Sequence, residues 1–364
     1  MSAVTEPVDG LSLRGITRRF GARQAVAGVD LDVRRGQVLC LLGPSGCGKS
    51  TTLRIAAGLE RPDTGLVFAA GRLVEGNGHH VPPEQRGVGL MFQDYALFPH
   101  LSVRANVAFG LNRLPRAEQI ARADRELARV GLARLAEAYP HTLSGGEQQR
   151  IALARMLAPE PAVILMDEPF SGLDASLRET LRGTTLARLR EANVAVLIVT
   201  HDPDEAMRVG DRVALMGAGK IIQEGTPLEL YRAPKVPQAV ALFGGANVFH
   251  TKVTPEGVRS PFGLVPANGV ATGSWAEILF RPGNVRLADR GIQAVVVGVR
   301  PFGGATEVEA RIVPDFLPEG VESPATVRAS APPGALLIPG LEIRLEADPN
   351  DGFVFPCFDK VCWA

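Results

Sequence analysis

The chain has 364 residues, 46% of them apolar, and its 39 Lys and Arg residues balance 39 Asp and Glu. That length is too great for one compact core, so two domains are expected, and zero net charge gives no global attraction to nucleic acid or an anionic membrane. Four cysteines do not make a disulfide scaffold at this length and point to a reducing compartment. Residues 1–10 carry Glu6 and Asp9 and no apolar run, unlike a secretory signal. No run approaches the ~20 apolar residues needed to cross a bilayer, so a soluble chain that meets a membrane only through a partner is expected.

Residues 11–20 and 26–33 alternate enough to read as strands, with Gly21 at a turn between them. Phe20 stands just before that turn, and two roles are open to it: stacking on a flat ligand ring or filling the core. An apolar run at 38–42 reads as a buried strand leading into Gly43-Pro44-Ser45-Gly46-Cys47-Gly48-Lys49-Ser50-Thr51, and 50–57 continue as a helix. This is the phosphate-loop pattern in the strand-loop-helix setting that its mechanism needs. The glycines let backbone N–H groups turn inward around phosphate oxygens, and the helix N-terminus adds partial positive charge. Lys49 is then placed to reach the outer phosphates and the Ser50 hydroxyl to hold Mg²⁺. Cys47 either faces the phosphates from inside the loop or is a buried, inert thiol.

Residues 58–78, rich in Gly and broken by Pro62, read as short strands and turns, and 88–92 as an apolar strand ending on Gln93. In the following loop Tyr95, Leu97 and Phe98 either tuck under the domain or offer a surface to a partner. From 103 to 159 the period turns helical. Val103, Val107, Ala108 and Leu111 share one face, as do Ile120, Leu127 and Val130 further on, so a helical block interrupts the α/β pattern. Within it Leu143-Ser144-Gly145-Gly146-Glu147 sets a good N-cap and paired glycines at a helix start, which makes a second anion site.

Residues 162–166 read as a buried strand that delivers Asp167 and Glu168 at its carboxyl end, the edge where ligands bind in an open parallel sheet. Asp167 is placed to help hold Mg²⁺, and Glu168 to orient and deprotonate a water for in-line attack on a γ-phosphate. A tight loop through Asp174 precedes a helix at about 176–190. The next buried strand, 194–199, ends at Thr200-His201, where the histidine is placed to contact the γ-phosphate. A hairpin at 211–216 and 220–223 and a helix near 227–232 close the first domain. From about 241 helical periodicity gives way to Pro, Gly and short alternating runs at 277–280, 292–299, 306–313 and 341–346, which are expected to form a small all-β barrel. Cys357 and Cys362 have no nearby histidine set there, which speaks against zinc.

On these residues the chain resembles the ATP-binding subunits of ABC-type importers over roughly residues 10–240. Gly43 to Thr51 is similar to their Walker A loop, Gln93 to the Q-loop glutamine, 143–147 to the signature motif and 163–168 to the Walker B strand. Residues 171–174, ending in Asp174, look like the D-loop, His201 like the switch histidine, and Phe20 falls at the aromatic position that stacks on adenine. The resemblance implies an α/β P-loop NTPase ABC cassette over 1–240, with a RecA-like core and a helical subdomain at about 94–160. A small all-β, OB/TOBE-like C-terminal domain follows over 241–364, holding a dimer together and in some members regulating it.

The same resemblance implies ATP and Mg²⁺ as cofactors. Ser50, Gln93 and Asp167 belong at the metal, Glu168, His201 and Lys49 in catalysis, and Phe20, residues 43–51, Gln93, Ser144, Gly145, Gly146 and Asp174 on the nucleotide. Two copies would associate head to tail, ATP on Lys49 of one being covered by Ser144 and Gly146 of the other. Further implied are two membrane-spanning permease subunits, one helix of which docks beside the Q-loop and Tyr95 to Phe98, and indirectly a periplasmic or lipoprotein solute-binding protein. No nucleic acid is expected, and the place implied is peripheral, on the cytoplasmic face of the inner membrane. Residues 92–100 with a β-rich tail resemble importers of the ferric iron, spermidine/putrescine, sugar and phosphonate groups. Leu242-Phe243-Gly244-Gly245-Ala246-Asn247 looks most like the ferric iron group, whereas residues 280–286 resemble a motif shared by several groups. A non-transport ABC ATPase fits less well, because the chain has one phosphate loop, one signature and neither a heptad run nor a basic linker. A phosphate-loop GTPase or kinase would leave residues 144–147 unexplained.

Overall fold

The apolar runs read from the sequence become strands in the computed structural model, which describes residues 6–172, 175–302 and 305–357. Asp174 and Cys362 lie outside the described residues. The chain divides into two units, Met1–Leu230 and Tyr231–Ala364.

In the first unit the order is β1 (Gly10–Phe20), β2 (Arg23–Arg34), β3 (Val38–Leu42), α1 (Lys49–Ala57), β4 (Thr64–Ala69), β5 (Arg72–Gly76), β6 (His79–His80) and β7 (Val88–Met91). The helices α2 (Val103–Ala108), α3 (Arg116–Arg129) and α4 (Gly145–Leu157) follow. Then come β8 (Val163–Asp167), α5 (Ala175–Ala192), β9 (Ala195–Thr200), α6 (Pro203–Val209), β10 (Arg212–Gly217), β11 (Lys220–Gly225) and α7 (Pro227–Arg232), which runs across the division. The central sheet has the order β11-β10-β3-β9-β8-β7, parallel except for the closing hairpin of β10 with β11. Strands inside a parallel sheet are covered on both faces, and this is why every residue of β3 and β9 is buried and all but Thr200 are apolar. Burying each of their Val, Leu and Ile side chains contributes roughly 1.5–3 kcal/mol.

A second, antiparallel sheet has the order β2-β1-β4-β5-β6. Its inward residues, among them Leu11, Leu13, Ile16 and Val26, share one core cluster with Leu39, Leu41, Leu53 and Leu197. The helical block packs through the faces its period marks: Val103, Val107, Ala108, Leu111, Leu127 and Val130 are buried, while Ile120 is half-buried. Ser102 starts α2 by accepting from the Ala105 N–H.

The second unit begins with α8 (Pro237–Leu242) and continues with β12 (Asn247–Thr254), β13 (Gly257–Ser260), β14 (Gly263–Val265), β15 (Trp275–Phe280), β16 (Arg286–Phe302), β17 (Ala305–Ile312), β18 (Val327–Ala331), β19 (Glu342–Glu346) and β20 (Phe353–Pro356). The all-β character is as expected from the alternating runs. Among the described residues these strands form two sheets, β14-β13-β12-β15-β20 and β17-β18-β16-β19, not one closed ring. Phe249, Ile278 and Phe280 of the first sheet and Val296, Val308 and Leu345 of the second belong to one apolar cluster. Among the described residues no helix is long and apolar enough to cross a membrane.

Candidate nucleotide-binding and hydrolysis site

β3, β9 and β8 are neighbours and parallel, so their carboxyl ends emerge at one edge of the sheet. The register pairs Leu42 with Thr200 and Asp167 with Val199. Three separate stretches therefore leave side by side: the loop after Leu42, His201, and the Asp167-Glu168 pair. Gly46 and Gly48 hold φ of +79° and +111°, and a Cβ at Gly43 or Gly48 would collide with the carbonyl of Met216 or Ala25. The loop is thus glycine-dependent both for its turns and for its close approach to neighbouring backbone. No side chain caps the start of α1, which leaves first-turn N–H groups for a ligand.

Lys49 is 6% exposed, and its Nζ donates to the carbonyls of Gly43 (2.7 Å) and Pro44 (3.0 Å). Cys47 is also buried, with Sγ 4.0 Å from that Nζ, and burial pushes its thiol pKa up despite the nearby lysine. Of the two roles left open for Cys47, the buried and unreactive one is favoured. The Ser50 hydroxyl donates to Asp167 Oδ1 at 3.3 Å. Burial raises the Asp167 pKa first of all, with Glu168 adding to the rise and Ser50, Arg54 and Lys49 opposing it. A hydroxyl and a carboxylate at that spacing are hard oxygen donors of the kind Mg²⁺ takes.

Glu168 adopts φ +47°, in the left-handed region that a non-glycine residue enters at a cost of about 1–3 kcal/mol. Its conformation is fixed by its neighbours. Its N–H donates to the Val199 carbonyl (2.9 Å), and its own carbonyl accepts from the Ser171 N–H (3.1 Å) and hydroxyl (2.8 Å). The side chain consequently meets His201, with Oε1 and Nδ1 2.7 Å apart. His201 is mostly exposed and Glu168 mostly covered.

Phe20 is 46% exposed at the end of β1, so it does not fill the core. Gln93 stands exposed just past β7. Ser144 caps α4 in a capping box: its hydroxyl contacts Glu147 Oε2 at 2.8 Å, its N–H donates to the same oxygen at 3.0 Å, and those bonds hold the Glu147 carboxyl below its usual pKa. Gly145 and Gly146 are the first residues of α4. In the loop after β7, Tyr95 is buried, Leu97 and Phe98 are half-buried, and Arg155 donates to the Tyr95 and Ala96 carbonyls at 2.8 and 2.7 Å. Phe92, Ala96, Phe98, Phe109, Arg155 and Met156 line a largely apolar groove of about 360 Å³. Of the two roles left open for this loop, Tyr95 tucks under the domain, while Phe98 lies along the groove.

Several residues of the site were silent in the sequence. Arg23 donates to the Gly46 carbonyl inside the phosphate loop at 2.6 Å, but an exposed cation at a strand start has no periodic or motif signal. Gln149 donates to the Pro169 carbonyl at 3.0 Å, bracing the turn after Glu168 from inside α4. Buried Glu205 accepts from the Thr200 hydroxyl at 2.7 Å and so steadies the residue before His201.

The family model described as ABC transporter matches residues 26–171. The chain is similar to the Fe(3+) ions import ATP-binding protein FbpC of Streptomyces avermitilis, at 44% identity over 89% of this chain and 93% of that one. It is also similar to the sulfate/thiosulfate import ATP-binding protein CysA of Methylococcus capsulatus, at 43% identity over 82% of this chain and 87% of that one. Among solved structures it is similar to the dimeric, post-hydrolysis ATP-binding cassette MJ0796 bound to ADP and Pi, with a TM-score of 0.53 and 31% identity over 60% of this chain and 98% of that one. A phosphate loop, a carboxylate pair and a histidine meeting at one sheet edge, in a chain this similar along nearly its whole length, place it in the ABC transporter family, among the ATP-binding subunits of importers.

Proposed function

We propose that residues 43–51, Asp167, Glu168 and His201 form one ATP-hydrolysing site that drives solute import. The observation that carries this is the meeting of Lys49, the Ser50–Asp167 pair and the Glu168–His201 pair at the carboxyl edge of β3, β8 and β9. Backbone N–H groups of the loop and the start of α1 bind the phosphates, and Lys49 exchanges its carbonyl partners for outer phosphate oxygens. Phe20 stacks on the base, which reads the ring's face and not its edge. Ser50 and Asp167, with Gln93, would hold Mg²⁺, and when bound the ion neutralises charge on the phosphates. Glu168 takes the proton of the attacking water while His201, hydrogen-bonded to it, holds the carboxylate in place and faces the γ-phosphate.

Full activity on this proposal needs a second copy. Ser144 and Gly146 of one copy cover the ATP on Lys49 of the other, with Asp174 between them. The dimeric MJ0796 cassette supports that assembly. The apolar groove beside Phe98 and Phe109 receives a helix of a membrane-spanning permease, which places the protein peripherally on the cytoplasmic face of the membrane. The strands of the second unit hold the two copies together.

For the solute we propose ferric iron, supported by the Streptomyces relative at 44% identity; the sulfate/thiosulfate relative at 43% keeps that oxyanion as the second reading. The test is uptake of radiolabelled ferric iron, with sulfate and spermidine in parallel, in cells carrying Glu168→Gln at the native locus. Loss of iron uptake alone supports the proposal. Unchanged iron uptake with lost sulfate uptake replaces iron by sulfate.

A further inference from the structure

Phe20 pairs with Arg23 across the β1–β2 turn, and Arg23 donates to the Gly46 carbonyl of the phosphate loop at 2.6 Å, which sets the ring beside that loop. The Arg18 guanidinium lies 4.8 Å from the centroid of the Phe20 ring. Arg18 and Phe20 are two residues apart on β1, and the pairing with β2 shifts register between Arg18 and Arg19, so the ring contact itself is what brings the two side chains together. Arg18 is itself held from two directions, by Glu60 Oε1 at 2.6 Å and by Asp63 Oδ1 at 2.8 Å. Asp63 is fixed in turn, since its Oδ2 accepts from the Arg19 N–H at 2.7 Å and its own N–H donates to the Thr17 carbonyl at 2.8 Å.

The anchoring acids come from the stretch that ends the phosphate-loop helix. Gly58 caps α1 in the left-handed conformation, and the N–H groups of Leu59 and Glu60 both donate to the Arg54 carbonyl in its last turn, at 2.9 and 3.3 Å. A continuous chain of contacts therefore runs from the phosphate loop through α1, Glu60 and Arg18 to the face of Phe20.

We propose that Arg18 is a positioning residue for the nucleotide: pinned by Glu60 and Asp63, it backs one face of the Phe20 ring and holds the other face toward the adenine. An unbacked ring at a strand end is free to change χ1, and each rotamer that abandons the base lowers affinity for ATP. A guanidinium over a partly exposed ring restricts that freedom. The inference rests on the base stacking proposed for Phe20 and adds what orients it. It concerns the base alone, because Lys49 and the loop hold the phosphates without Arg18.

The test compares binding of ATP with binding of inorganic tripolyphosphate, which has the phosphates and no base, by calorimetry on the full chain. Arg18→Ala is expected to weaken ATP binding about two- to fivefold, to raise KM with kcat unchanged, and to leave tripolyphosphate binding as it was. Glu60→Gln, which keeps the guanidinium and removes one pin, should move ATP binding in the same direction by less. Equal weakening of both ligands would overturn the proposal, since it marks a general defect of the loop. So would unchanged ATP binding in Arg18→Ala where Phe20→Ala does weaken it. If Phe20→Ala leaves ATP binding intact, stacking itself is excluded and the positioning role falls with it.

Discussion

Glu277 gives the second unit a built-in dependence on pH. It lies on β15, only 2% exposed, opposite His250 on β12 and Phe355 on β20, and its Oε2 has no hydrogen-bond partner among the described residues. Burial pushes its carboxyl from an ordinary 4.5 up to about 7. The folded pKa lies above the unfolded one, so folding takes up a proton. The stability this group contributes is complete below about pH 4.5, declines as the pH rises, and is gone above about 7. A shift of this size corresponds to about 3 kcal/mol. The tryptophans of the chain, Trp275 and Trp363, both stand after residue 231 in the sequence, so tryptophan fluorescence during urea unfolding carries no contribution from the first unit. The wild-type transition should move to lower urea between pH 5 and pH 8, while Glu277→Gln should lose most of that movement and overtake the wild type at the alkaline end. Gln leaves its own buried polar atoms unpaired, so the comparison lies in the slope with pH, not in the level at one pH. Parallel curves for the two proteins would refute a protonated, buried Glu277.

Further outcomes follow from single contacts. Gly58→Ala puts a Cβ into the guanidinium of Arg86, which is fully buried and hydrogen-bonded to the Ile55 carbonyl at 3.1 Å, and it does so at φ +85°; we expect a loss of about 1–3 kcal/mol, read as a lower Tm. Cys47, buried with a raised pKa, should react with iodoacetamide slowly in the native chain and quickly in urea, whereas fast native alkylation blocked by ATP would mean the thiol opens to the phosphates. Phe109→Asp places a charge in the apolar groove on an already exposed position, so ATP hydrolysis by the isolated protein should persist while uptake in cells is lost. Loss of both together would remove the groove as a docking surface.

Much of the candidate site is legible because its geometry is local. Gly43 to Thr51 encodes strand, loop and helix within one short stretch, and the glycine spacing can be read without a neighbour. Asp167, Glu168 and His201 are legible for a related reason: they follow closely on the apolar runs of β8 and β9, and parallel strands bring their carboxyl ends to one edge. The strained φ of Glu168 is not legible, because it is imposed by Val199 on the adjacent strand and by the Ser171 turn. Arg18 is silent for the same reason. Its role depends on Glu60 and Asp63, which stand on a loop that the sequence shows only as Gly- and Pro-rich. Phe20 was open between core and ligand because a residue at a strand end has no periodic partner to decide its face. In the second unit alternating runs announce strands, but their arrangement in two sheets depends on pairings as distant as Arg286 with Glu346.

The most direct measurement is ATP binding and ATP turnover by Glu168→Gln, with Lys49→Ala beside it. Glu168→Gln is expected to bind ATP as the wild type does and to lose about 10²- to 10⁴-fold in turnover, the usual worth of a general base. Lys49→Ala is expected to lose the nucleotide. Near-normal turnover in Glu168→Gln, or full ATP binding in Lys49→Ala, would contradict a hydrolytic site at this edge of the sheet.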